Sequence, residues 1–91
     1  MTSDETGQAV ASTGNLRSVV ETIARALVDQ PSAVAVTESP RRGMIVLELT
    51  TAPGDMGKII GRQGRTAAAI RTIVSLTAER LGVRAQLDIR D

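Results

Sequence analysis

The order of periodicities in this chain predicts an α+β fold: helix, strand, strand, helix, helix, strand. Three observations carry that reading. Apolar residues recur at helical spacing over 16–28 and again over 70–81. They alternate with polar residues over 83–89, and over 44–50 a short apolar run rich in β-branched and aliphatic residues reads as a strand. Between two helical stretches stands a Gly-x-x-Gly segment, Gly61-Arg62-Gln63-Gly64.

The first helix opens at Asn15, a suitable N-cap, and its apolar stripe is Leu16, Val19, Val20, Ile23, Ala24, Leu27 and Val28. Pro31 is expected to stop it. Residues 33–38 read as a short strand with Val34 and Val36 on one face. Ser39-Pro40-Arg41-Arg42-Gly43 has the composition of a turn. Residues 44–50 read as a stronger strand, with Ile45, Leu47 and Leu49 on one face and Met44, Val46 and Glu48 on the other. The two strands form a hairpin.

Asp55 is placed to cap a short helix over 56–60, which Gly61 ends in the left-handed conformation. A longer helix runs from Gly64 to about Leu81. Its expected buried stripe is Ile70, Ile73, Val74, Thr77 and Leu81, and Gly82 closes it. Val83, Ala85, Leu87 and Ile89 then alternate with polar residues in a last, half-buried strand. A strand pair joined by a helical crossover is parallel, so the sheet is mixed and 44–50 is central.

The chain has 91 residues, which suits one small domain. Residues 1–14 show no apolar period and are expected to be a disordered N-terminal tail; residues 15–91 form the domain. Hydrophobic residues make up 42% of the sequence but none is aromatic, so the core is aliphatic. Such a core buries less area per residue, which predicts modest stability or support from a partner subunit. There is no Cys and no His. That removes disulfides, thiolate metal sites and the commonest general base; no cofactor is expected. No run approaches the length of a membrane span, and the polar, acidic start is unlike a signal peptide, so a cytoplasmic location is expected.

Charge is uneven. Residues 1–30 carry two arginines against four acids, a balance of −2, whereas residues 41–71 carry a balance of +4. Arg41, Arg42, Lys58, Arg62, Arg65 and Arg71 supply the excess, which is expected to gather around the glycine loop.

Two glycines three apart let the chain turn tightly and let a polyanion approach the main chain. Arg62 and Gln63 between them are hydrogen-bond donors, and the next helix opens with free amides and a positive dipole end. The segment Ile59-Ile60-Gly61-Arg62-Gln63-Gly64-Arg65-Thr66 resembles the signature loop of KH domains, which clamps about four nucleotides of single-stranded nucleic acid. The element order resembles the bacterial arrangement, a type II KH domain, which implies a three-stranded mixed sheet covered on one face by helices. The resemblance covers about Asn15 to Ile89 and is closest to small stand-alone bacterial KH proteins of the KhpA type. It implies binding of single-stranded RNA, as an RNA-binding or RNA-chaperone protein. It further implies association as a homodimer, or as a heterodimer with a larger KH-containing protein.

On that resemblance Gly61 and Gly64 admit the nucleic-acid backbone, and Lys58, Arg62 and Arg65 meet phosphates. Gln63 bonds backbone oxygens, and Arg71 lies within reach of phosphate or of solvent alone. Ile59, Ile60, Ile70 and Val74 are mostly core, with one or two edges lining a groove for bases. Many KH sequences carry a bulky aliphatic residue three positions after the second glycine, followed by a basic and an acidic residue. This chain has Ala67-Ala68-Ala69, which shortens the groove wall or lets another helix approach, and so favours a dimer contact there.

An enzyme is disfavoured. Asp55 is the only acid near the loop, Ser75 and Thr66 lack an adjacent base, and the loop does not have P-loop spacing. The competing reading is a protein-interaction module that dimerises and binds nucleic acid weakly or through a partner.

Overall fold

Strand β2 (Met44–Thr50) is the centre of the molecule, flanked by β1 (Ala35–Arg41) and β3 (Ala85–Arg90). The computed structural model describes residues 16–90; Asn15 as a cap and the N-terminal tail lie outside them. β1 pairs antiparallel with β2 and closes at Arg41↔Met44, while β3 runs parallel to β2 from Ile45↔Ala85 to Thr50↔Arg90. The mixed sheet with β2 central is the one the crossover rule predicts.

The hairpin is tighter than its composition suggested. β1 continues through Ser39, Pro40 and Arg41, and only Arg42 and Gly43 turn, at φ +49° and +78°. Two successive positive φ values give a turn whose twist matches that of the flanking strands. Pro40 fits because β1 is an edge strand, so its missing N–H breaks no ladder. At the other end a 3-10 turn over Pro31–Ala33 delays the start of β1 to Ala35.

Helix α1 spans residues 16–27 and ends before Pro31 rather than at it. Gln30, just ahead of the proline, has left the helical region, at φ −119°, ψ 76°. Leu16, Val20 and Ala24 are fully buried, but Leu27, assigned to the stripe from its spacing, is 38% exposed at the fraying end.

Helix α2 (Met56–Ile60) and helix α3 (Arg65–Leu81) follow β2 and lie on the same side of the sheet as α1. α3 buries Ala67, Ile70, Val74 and Ala78. Two expectations are corrected here. Ile73 is 40% exposed and Thr77 only half-buried. The helix is rolled so that Ala67 and Ala78 lie on its buried flank with Ile70 and Val74, while Ala68 and Ala69 face outward. Gly82 ends α3 with a left-handed cap: its N–H bonds Glu79 O at 3.1 Å, and Val83 N–H bonds Ala78 O at 2.9 Å.

The core is one aliphatic cluster in which α1 and α3 meet Val36, Leu47, Leu49 and Leu87 of the sheet. Each fully buried Leu, Ile or Val contributes about 1.5–3 kcal/mol of transfer free energy. The other face of the sheet, with Met44, Val46 and Glu48, carries no helix among the described residues.

Candidate nucleic-acid interface

The loop between α2 and α3 is shaped by three positive φ angles in four residues. Gly61 accepts the end of α2, its N–H bonding Gly57 O at 2.9 Å, but it does not adopt the left-handed helical conformation expected of it. Its φ of +76° is combined with an extended ψ of 173°, a region open essentially to glycine alone. Gln63 follows at φ +56° and Gly64 at φ +73°. The backbone therefore doubles back through a single 3-10 turn, Arg62–Gly64, with Gly64 N–H bonding Gly61 O at 3.1 Å. Arg62 and Gln63 are exposed at its tip, and Arg65 is exposed one residue beyond it. Nothing in the residue types announced that Gln63 would share the strained backbone with the glycines.

α3 starts directly from this turn. Gly64 has no side chain to cap it, and no acidic residue occupies its first turn. The Arg65 N–H is taken by Arg62 O within the turn, but no side chain offsets the positive end of the helix dipole beside Arg62 and Arg65. Among the described residues neither arginine has an ion-pair partner.

Other residues singled out from the sequence are placed differently. Ile59 is fully buried and has no surface to offer a ligand, which is a correction; Ile60 beside it is 37% exposed. Ile70 and Val74 are core. Arg71 is exposed, and its Nε donates to Leu87 O at 3.3 Å, tying α3 to β3. It stands at a shallow cleft also lined by Val74, Ser75, Ala85 and Leu87.

Lys58 does not join the loop cations. Its Nζ lies 3.3 Å from Asp29 Oδ2 and 3.7 Å from Asp55 Oδ1. Asp55 in turn does not cap α2: it makes no capping hydrogen bond, is 3% exposed, and accepts the Gln30 N–H at 2.9 Å on Oδ2. Burial pushes its carboxyl up, but the amides of Gln30 and Asp29 and the Lys58 ammonium outweigh this and hold it below its ordinary value. Asp55 thus fastens the start of α2 to the segment after α1. The Asp55–Lys58 spacing was visible in the sequence; the contact with residues 29–30, some 25 positions away, was not.

Arg41 and Arg42 also lie elsewhere. They sit at the hairpin, at the Met44 end of β2, whereas the chain leaves for α2 at the Thr50 end, so the positive segment of the sequence is divided in space. Among the described residues no cluster of three or more His, Cys, Asp or Glu could hold a metal ion, and no helix is long and apolar enough to cross a membrane.

The family model for the KhpA/KhpB KH domain matches residues 17–89. A protein of Clostridium acetobutylicum, described as RNA-binding protein KhpA, is 46% identical over 74 residues, covering 81% of this chain and 99% of its own. Proteins described in the same words are 57% identical over 60 residues in Caldanaerobacter subterraneus subsp. tengcongensis and 49% identical over 69 residues in Treponema pallidum. These cover 66% and 76% of this chain, and 80% and 86% of their own.

Proposed function

This chain belongs to the KhpA/KhpB KH-domain family, and we propose that it binds single-stranded RNA by clamping the sugar–phosphate backbone on Gly61-Arg62-Gln63-Gly64. The observation that carries this is the conjunction at one point of exposed Arg62, Gln63 and Arg65 with an uncapped helix start free of acids. Guanidinium and amide donors meet phosphate oxygens there, and the positive dipole end of α3 adds to the same attraction. Relatives named as RNA-binding proteins support the same ligand.

The bases lie against the exposed edge of Ile60 and towards the α3–β3 cleft, where Arg71 stands. Without aromatic rings they are held by van der Waals contact and hydrogen bonds rather than by stacking, so affinity is modest. Lys58 and Ile59 are left out of the contact set. The activity is binding, as an RNA-binding or RNA-chaperone protein of the cytoplasm, and not catalysis. The test is purification without nuclease, followed by titration with short single-stranded RNA. Copurifying RNA and saturable binding support the reading; protein partners alone support an interaction module instead.

A second reading accompanies the first. Ile73 is 40% exposed and Leu76 is 56% exposed on the outer side of α3, in line with exposed Ala69. Two large aliphatic residues so placed fit a contact with a second copy, or with a larger KH-containing partner. Sedimentation over a range of concentrations tests self-association, and Leu76→Asp should shift it to monomer.

A further inference from the structure

We propose that the hairpin end of the sheet is a second RNA contact, in which Arg41, Arg42 and Arg84 hold phosphates of the same RNA that engages the glycine loop. The proposal rests on the RNA-binding reading above and adds a separate site to it. Arg84 is more than forty positions from Arg41 in the sequence, but the sheet brings them together. Arg41 pairs with Met44 on one side of β2. Arg84 O accepts the Ile45 N–H at 2.8 Å on the other side. With strands about 4.8 Å apart, the two Cα atoms are about 10 Å from each other.

Alternation fixes the face of Arg41. Val36, Leu47 and Leu87 point into the core. Arg41 and Met44 are each an odd number of positions from the core residue of their own strand, so they stand on the open face; Arg84, one residue ahead of β3, lines a concavity at the same end of the sheet with Gly43 and Met44. Arg42 is at the turn beside Arg41, and the two rim a concavity that continues along Met44, Val46 and Gln86 to Glu48, Asp88 and Arg90; phosphates are therefore held at its hairpin end, away from the two carboxylates.

All three arginines are exposed, and among the described residues none is ion-paired. Four other arginines are already engaged: Arg17 and Arg25 pair with Glu21, Arg90 with Glu48, and Arg71 bonds Leu87 O. Arg80, exposed in the last turn of α3 beside the helix dipole's negative end, has no ion pair among the described residues and lies just ahead of Arg84 in the chain. Free guanidinium groups thus collect in two places, the loop and the hairpin end. α3 separates them: 17 residues at 1.5 Å each set them about 25 Å apart. About four nucleotides are taken up at the loop, so only a longer RNA reaches both. A protein gripping RNA at two such points holds two segments of one strand in fixed relation.

The experiment compares a tetranucleotide with an unstructured 24-nucleotide RNA, titrated at several salt concentrations. The variant is Arg41→Gln, Arg42→Asn, Arg84→Gln, with Asn chosen because it tolerates the positive φ at 42. It should bind the tetranucleotide as wild type does. For the 24-mer it should lose roughly ten-fold in affinity, and the log–log salt slope should flatten by about 2, three contacts at 0.7 each. Unchanged 24-mer binding with the wild-type slope overturns the proposal, as does equal weakening for both lengths. An Arg62→Asp, Gln63→Asp protein that loses the tetranucleotide but keeps weak, salt-sensitive 24-mer binding supports it. A wild-type protein that binds neither length overturns the loop reading itself, and this proposal with it.

Discussion

Gly61 lies so close to Thr66 that a Cβ on the glycine would stand 2.6 Å from Thr66 Cβ and 2.9 Å from its backbone nitrogen. Gly64, the other glycine of the loop, would meet nothing within 4 Å. The two glycines therefore serve different ends. Gly61 lets the start of α3 fold back over the end of α2, whereas Gly64 faces open space, where the proposed clamp would admit RNA.

Gly61→Ala should destabilise the domain by about 2–4 kcal/mol, from a glycine-only backbone conformation plus a clash with main chain. Gly64→Ala should cost about 1–2 kcal/mol, from left-handed φ alone, and should weaken RNA binding in a protein that still folds. Urea denaturation of the two variants checks the order; a costlier Gly64→Ala would contradict it.

The sequence made the topology legible because β2 is a short apolar run, β3 alternates cleanly and the loop glycines separate two helical periods. It did not make the roll of α3 legible. Ala67 and Ala78 carry little hydropathic signal, so Ile73 drew the stripe towards itself, and only contact with the sheet decides which flank is covered. The arginines misled for a related reason. Arg41 and Arg42 are near the loop in sequence, but β2 and α3 both run the length of the sheet, and neighbourhood along the chain is lost across them. The left-handed turns at Arg42 and Gln63 had no signature, because neither residue type prefers them.

Ile70→Ala should destabilise by about 2–4 kcal/mol through a cavity in the aliphatic core. Ile73→Ala, at an exposed position, should cost less than about 1 kcal/mol. The pair distinguishes the observed roll of α3 from the stripe that spacing alone suggested. Comparable losses in chemical denaturation would place both residues in the core.

Acid should loosen the domain partly through Asp55. Its ordinary pKa is 3.8 and its folded value is lower, so the unfolded chain takes up the proton first. The contribution is complete above the ordinary value and is lost as pH falls through the folded one. Asp55→Asn should therefore be less stable near neutrality and show a shallower loss of stability below about pH 4. Urea midpoints across an acid pH series measure this. Parallel curves for the two proteins would show that Asp55 does not carry the dependence.

Binding of short RNA should be governed by two loop cations rather than three, because Lys58 is already held by Asp29 and Asp55. With Arg62 and Arg65 each displacing a counterion, the log–log salt slope for a tetranucleotide should be about −1.4, against about −2 if Lys58 also met phosphate. Lys58→Gln should leave that slope unchanged. Arg62→Asp with Gln63→Asp should abolish tetranucleotide binding, since two carboxylates would stand where phosphate oxygens must come within hydrogen-bonding distance. Both positions are exposed at the tip of the turn, so circular dichroism and melting should stay near wild type. A double variant that folds and binds as wild type does would remove the loop from the RNA site. A slope that flattens in Lys58→Gln would show that the ammonium leaves its two carboxylates for the phosphate.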